Sequence, residues 1–235
     1  MCCKLKSLLI FFSVFLLLFA EQAHAGFTLG GTRLIVTPQD TQMIKVTNHG
    51  DTAYAMQAWA ETQSGDNPGH ALVISPSFAK LAGDSSLNLK VMSLSGGGDM
   101  EQLYYLNVQE IPPKAKKGAN AIEANQVAFA IRTKIKVFVR PDSIAEERRH
   151  AEKAVTVSLS EDGKQLHINN PTPFYFTIDT ASLGGNMLPV SKTGLVPPMA
   201  KEAIDIGANA LVNEEVEINF IDDYGANRLY RYSIQ

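Results

Sequence analysis

The stretch Asn125-Gln126-Val127-Ala128-Phe129-Ala130-Ile131-Arg132-Thr133-Lys134-Ile135-Lys136-Val137-Phe138-Val139-Arg140-Pro141 decides how this chain is read. Its odd positions from Val127 to Val139 are all β-branched or aromatic. Its even positions begin small at Ala128 and Ala130, turn basic at Arg132, Lys134 and Lys136, and end on the apolar Phe138. A period of two over this length predicts a β-strand with one continuous apolar face. The predicted strand is about twice the usual length of roughly 5–6 residues. Pattern alone leaves two readings open. Either the whole odd face is core, or its early part from Val127 to Ile131 projects to an edge where another chain can pair with it.

Outward from this strand the chain reads as short strands divided by turn residues. Thr32–Val36, Gln42–Asn48, Ala53–Glu61, Leu72–Ile74, Leu87–Val91 and Leu103–Val108 precede it. Val155–Ser160, Leu166–Asn169, Phe174–Asp179, Ala203–Ile206, Glu215–Phe220 and Leu229–Ser233 follow. Trp59, the single tryptophan, is expected in the core, because alanines flank it in a largely apolar strand. The run Gly96-Gly97-Gly98 has no following Lys-Ser/Thr and reads as a hairpin connection rather than a phosphate loop. Lys114–Ala124 is polar and reads as a mobile loop. Asp142–Lys153 is highly charged and carries the chain's one plausible helical turn. Two such halves predict an all-β protein of two tandem β-sandwiches. Their expected limits are 26–143 and 144–235.

Residues 1–25 read as an export leader. Lys4 and Lys6 are followed by the apolar run Leu8–Ala20 and by Ala23-His24-Ala25, a small-x-small site that predicts cleavage before Gly26. That run is shorter than the roughly 20 residues a spanning helix needs. Cys2 and Cys3 leave with the leader, so the mature chain has neither a disulfide nor a thiol nucleophile. Taking Lys4, Lys6 and Glu21 from the 21 basic and 24 acidic residues leaves 19 and 23, a net charge of −4. That balance lacks the basic stripe expected of a nucleic-acid binder.

An enzyme would find few parts to use. His49, His70, His150 and His167 belong to no metal-ligand motif, and there is no Gly-x-Ser-x-Gly elbow or Walker loop. The adjacent pairs Asp222-Asp223 and Glu214-Glu215 point to opposite faces of a strand and read as solvated surface. Arg33, Lys136, Arg140 and Asp223 stand apart, because charges bordering apolar strands are seldom buried unpaired. Alternation alone does not say which of them meet.

Thr32-Arg33-Leu34-Ile35, Ala58-Trp59-Ala60-Glu61, Glu101 through Ile111-Pro112, Lys134 through Pro141, Asn170-Pro171-Thr172-Pro173, Leu195-Val196-Pro197-Pro198-Met199 and Ile221-Asp222-Asp223-Tyr224-Gly225 resemble, in the same order, the PapD-like periplasmic pilus chaperones. The resemblance spans nearly the whole mature chain. It implies two immunoglobulin-like sandwiches in an L or boomerang, and a non-catalytic periplasmic protein that needs no nucleotide, metal or other cofactor. It implies that Val127, Phe129 and Ile131 form a donor strand lent to a fimbrial subunit whose own sandwich lacks its last strand. By the same resemblance Arg33 and Lys136 anchor the subunit's terminal carboxylate, and Glu101, Arg140 and Asp223 carry charges between the domains. The implied partners are fimbrial subunits and an outer-membrane usher. An exposed donor strand is also a route to self-association of the free protein. A second reading, from another class, is a secreted two-domain adhesin or carbohydrate-binding protein that would use exposed aromatics such as Tyr104 and Tyr224. It leaves Arg33 and Lys136 without a shared task.

Overall fold

The computed structural model describes residues 26–94, 98–113, 129–191, 194–206 and 212–235. The leader, Gly96 and Gly97, the loop Lys114–Ala124 and Val127 lie outside the described residues. Among the described residues no helix is long and apolar enough to cross a membrane.

The first half contains β1 (Phe27–Leu29), β2 (Arg33–Val36), β3 (Thr41–Asn48), β4 (Tyr54–Glu61), β5 (Leu72–Ser75), β6 (Phe78–Leu81), β7 (Ser85–Ser93), β8 (Gln102–Ile111) and β9 (Arg132–Val139). They form two sheets, ordered β1-β3-β7-β5 and β2-β9-β8-β4-β6. All pairs are antiparallel except β2 with β9, which run parallel. The short helix α1 (Asp142–Ala145) and two 3-10 turns, Glu146–Arg148 and Ala151–Ala154, fill the charged segment between the halves. The second half contains β10 (Thr156–Leu159), β11 (Gln165–Asn170), β12 (Phe176–Leu183), β13 (Asn186–Met187), β14 (Leu195–Val196), β15 (Ala200–Asp205), β16 (Glu215–Ile221) and β17 (Asn227–Ser233). Its sheets are ordered β10-β11-β15 and β13-β12-β16-β17, with β14 also pairing β12.

Each half has its own core. Val36, Ile44, Met56, Leu89, Leu106, Ile135, Val137 and Val139 meet between the first two sheets. Phe174, Phe176, Ile178, Leu166, Ile218 and Phe220 do so in the second half. Period two explains the choice of side chains. In β9 the odd residues Ile135, Val137 and Val139 face the core, while Arg132, Lys134 and Lys136 face away. Phe138 shares the outer face of the cations, yet it is 3% exposed. There it joins Leu103 from β8 and Leu195 from the second domain in a separate apolar cluster, flanked by Tyr105 and Tyr175. This cluster seals the contact between the two sandwiches. Burial of each large side chain in it contributes about 1.5–3 kcal/mol.

Two expectations need correcting. Of the strand predicted from Asn125 to Pro141, residues 125–128 lie outside the described residues; among the described ones the strand runs from Arg132 to Val139, and Phe129 to Ile131 precede it without strand pairing on both sides. The ladder with β8 still reaches Ile131, whose carbonyl accepts the Glu110 N–H at 3.0 Å. Trp59 is not in the core. Met56 and Ala58 take the inward positions of β4, so alternation turns Trp59 to the outer face. Its Nε1–H donates to Glu61 Oε1 at 2.8 Å, and the Arg132 guanidinium lies 6.0 Å from the ring.

Candidate functional site

The outer face of the β2-β9-β8-β4-β6 sheet presents a cross-strand row of charge. Parallel pairing puts Arg33 of β2 directly beside Lys136 of β9, Lys136 stands opposite Tyr105 of β8, and Tyr105 stands opposite Glu61 of β4. Lys134, two residues from Lys136 on the same face, donates to Glu61 Oε2 at 2.8 Å and sits 4.4 Å above the Tyr105 ring. That bond and the one from Trp59 hold the Glu61 carboxyl down at about 2.

Arg33 and Lys136 also reach the second domain. Arg33 Nη1 donates to the Ile221 carbonyl at 2.9 Å, and Lys136 Nζ donates to Thr177 Oγ1 at 3.2 Å. Arg33 Nε is buried with no hydrogen-bond partner among the described residues. Burial pulls the Lys136 ammonium down to about 8, and its like-charged neighbour Arg33 pulls in the same direction. Burial lowers Arg33 as well, against the pull of Asp223 and Asp222. Two adjacent, partly desolvated cations sharing one face are ready to donate charge-assisted hydrogen bonds to a carboxylate.

Glu101, Arg140 and Asp223 are brought together across the domain junction. Arg140 Nε donates to Glu101 Oε1 at 2.6 Å, while its Nη1 and Nη2 donate to the two Asp223 oxygens at 2.7 and 3.0 Å. Glu101 also accepts the Tyr175 N–H at 2.8 Å and donates its own N–H to the Pro173 carbonyl at 2.9 Å. Burial pushes the Glu101 carboxyl up, and the Arg140 contact opposes that push.

Local sequence explains how the second domain offers these partners. Asn170 is fully buried. It donates to the Phe174 and Pro197 carbonyls and accepts both the Thr172 N–H and hydroxyl, which fixes the Asn170-Pro171-Thr172-Pro173 loop against Glu101. On the other side, Asp222 Oδ1 accepts the N–H groups of Tyr224 and Ala226, closing a turn that needs the positive φ of Gly225. That turn aims Asp223 at Arg140.

Phe129 and Ile131 are 79% and 51% exposed, an unusual state for two neighbouring large apolar side chains on one row. Of the tyrosines set aside for glycan contact, Tyr224 is at the surface, but Tyr104 packs against the first core and donates to Gln102. Sequence reading passed over Arg148, Thr177 and Tyr175. Arg148 donates to Glu152 at 2.7 Å, lies 3.7 Å from Asp223 and faces the Phe174 and Phe176 rings. Its i,i+4 spacing to Glu152 was the available signal. Thr177 and Tyr175 act through a hydroxyl and a backbone N–H, for which sequence has no marker.

Two family models match the chain. Residues 26–145 match the pili and flagellar-assembly chaperone PapD N-terminal domain, and residues 150–232 match the pili assembly chaperone PapD C-terminal domain. The chaperone protein MrkB of Klebsiella pneumoniae is 28% identical over 94% of this chain and 97% of its own length. The chaperone protein FimC of Escherichia coli K12 is 30% identical over 95% of this chain and 89% of its own. The solved structure of the Salmonella enterica SafA pilin in complex with the SafB chaperone superposes with TM-score 0.76. It does so at 20% identity, over 91% of this chain and 98% of that one, a likeness of fold. With both sandwiches matched and these relatives aligned along most of their own length, the chain belongs to the PapD family of pili assembly chaperones.

Proposed function

We propose that this chaperone works in the periplasm, exported by cleavage before Gly26, where it completes the fold of fimbrial subunits by donor-strand complementation and delivers them to an outer-membrane usher. The first sandwich, 26–143, lends the row Val127, Phe129 and Ile131, and the second, 144–235, closes the other side of the binding cleft. Arg33 and Lys136 hold the terminal carboxylate of the subunit, while Glu101, Arg140 and Asp223 fix the angle between the domains. One observation carries this reading. The two cations are register partners at the domain junction, and the strand that carries Lys136 leads directly to the exposed apolar pair Phe129 and Ile131. An anchor at one end fixes the register of everything beyond it.

The test is co-expression with the fimbrial subunits encoded nearby, followed by periplasmic pull-down. Each charge-assisted hydrogen bond is worth about 1.5–3 kcal/mol, so Arg33→Ala and Lys136→Ala are each expected to weaken capture roughly ten- to a hundredfold. Both variants should fold. Equal recovery of subunit by wild type and variants would remove the anchoring claim.

Alkaline pH offers a second test with two opposite signs. The folded Lys136 titrates near 8, below its unfolded value of 10.5, so the free chaperone gains stability as pH rises from about 8. A bound carboxylate favours the charged ammonium and raises its pKa. Affinity for a peptide bearing the subunit carboxyl terminus is therefore level below pH 8 and falls above it. The expected slope is up to about tenfold per pH unit. Binding measured by calorimetry at pH 7 and 9.5 checks this, and Lys136→Met should flatten the dependence.

A further inference from the structure

Glu110 lies on the core-facing side of β8 and is 4% exposed. Among the described residues no lysine, arginine or histidine forms an ion pair with it. Its recorded donor is the N–H of Phe27, at 2.5 Å from Oε1. The carboxylate is pressed against the residue before. A Cβ built on Gly26 would lie 2.1 and 2.2 Å from the two Glu110 oxygens, so no side chain fits there while the carboxylate stays in place. A carboxylate buried this far ordinarily requires a cation close by. The nitrogen of Gly26 is two bonds from that Cβ position, and the next nitrogen along the chain, that of Phe27, already donates to the carboxylate.

We propose that Glu110 is the docking site for the chain's own α-ammonium group. Cleavage before Gly26 converts a neutral amide nitrogen into a cation at the place where the buried carboxylate lacks one. Glycine at the first position lets the two groups approach without displacing the carboxylate. The ion pair ties the start of β1 to the end of β8, so removal of the leader completes the packing of the first sandwich. This inference rests on the cleavage reading above.

The test compares mature chains whose first residue is set by a fusion cut directly before it. One begins at Gly26 and one retains Ala25, each with Glu110 or with Glu110→Gln. The chain retaining Ala25 should unfold at lower urea than the chain beginning at Gly26. Glu110→Gln should lower the midpoint of the Gly26 chain and not lower that of the Ala25 chain. The terminal amine, followed by mass spectrometry of the first peptide, should acetylate several-fold more slowly in the Gly26 chain with Glu110 than in the other three. If Glu110→Gln does not fold, the Ala25 comparison decides alone, since it leaves the interior untouched. Equal midpoints and equal amine reactivity for the two starts would overturn the proposal. The intact mass of the exported protein tests cleavage separately. A first residue other than Gly26 would sink the cleavage reading, while the fusion-derived chains still decide the ion pair.

Discussion

Arg140→Ala is expected to destabilise the mature protein by about 3–5 kcal/mol and to separate the unfolding of its two sandwiches, because the substitution strands a buried carboxylate. Arg140 and Glu101 are 7% and 4% exposed, and the guanidinium joins Glu101 in the first domain to Asp223 in the second. Without it, the Tyr175 N–H is the hydrogen-bond donor left to the Glu101 carboxylate among the described residues. Glu101→Gln should cost much less, because Arg140 keeps its two-pronged contact with the partly exposed Asp223. The damage also depends on pH. Burial already raises Glu101, and removal of Arg140 deletes the main influence holding it down. A carboxyl raised in the folded state binds its proton more readily there than in the unfolded chain, so stability recovers as pH falls through the raised value. The gap between wild type and Arg140→Ala should therefore narrow from pH 7 towards pH 5. Trp59 is the single tryptophan and belongs to the first sandwich, so its fluorescence follows that domain alone, whereas far-ultraviolet circular dichroism follows both. In urea the two traces should coincide for wild type and diverge for Arg140→Ala. Coincident traces in the variant, with an unchanged midpoint, would show that the ion network does not couple the domains.

Much of the fold was legible because a two-sided sandwich writes its alternation into each strand. Period two located twelve of the observed strands to within a few residues, together with the charged turn after Pro141. What it missed has a physical reason. Phe27–Leu29, Asn186–Met187 and Leu195–Val196 are too short for alternation to register, and Phe78–Leu81 follows Pro76, which reads as a break. Trp59 was misassigned because both faces of its strand carry apolar residues, Met56, Ala58 and Ala60 on one and Ala55 beside Trp59 on the other. Only the burial of Met56 fixes the parity of that strand. For the site, sequence marked Arg33, Lys136, Arg140 and Asp223 as charges needing partners, yet alternation could not pair them. Pairing depended on the parallel register of β2 with β9 and on the turn at Asp222, neither of which is local to the residues concerned.

Removing the apolar row should have the largest effect on function and almost none on the free protein. Phe129→Ser with Ile131→Ser takes away two side chains that are mostly exposed, so the urea midpoint of the isolated chaperone should stay within the range of a surface substitution, about 0.5 kcal/mol. In the proposed complex the same side chains fill the gap in a subunit, where each contributes about 1.5–3 kcal/mol. Their joint loss is expected to weaken subunit capture roughly a hundred- to ten-thousandfold. A single alanine inserted between Ile131 and Arg132 is the sharper variant. It leaves the core residues Ile135, Val137 and Val139 and the paired cations Arg33 and Lys136 in place, and it deletes no apolar side chain. Counted from Lys136, however, it moves Phe129 and Ile131 to the opposite face of an extended strand. If a strand held at Lys136 is what the subunit accepts, the insertion should abolish capture as completely as the double serine variant. An insertion variant that captures subunit as well as wild type would mean that register is not set from the cations, and that the exposed row binds, if it binds, as a loose apolar surface.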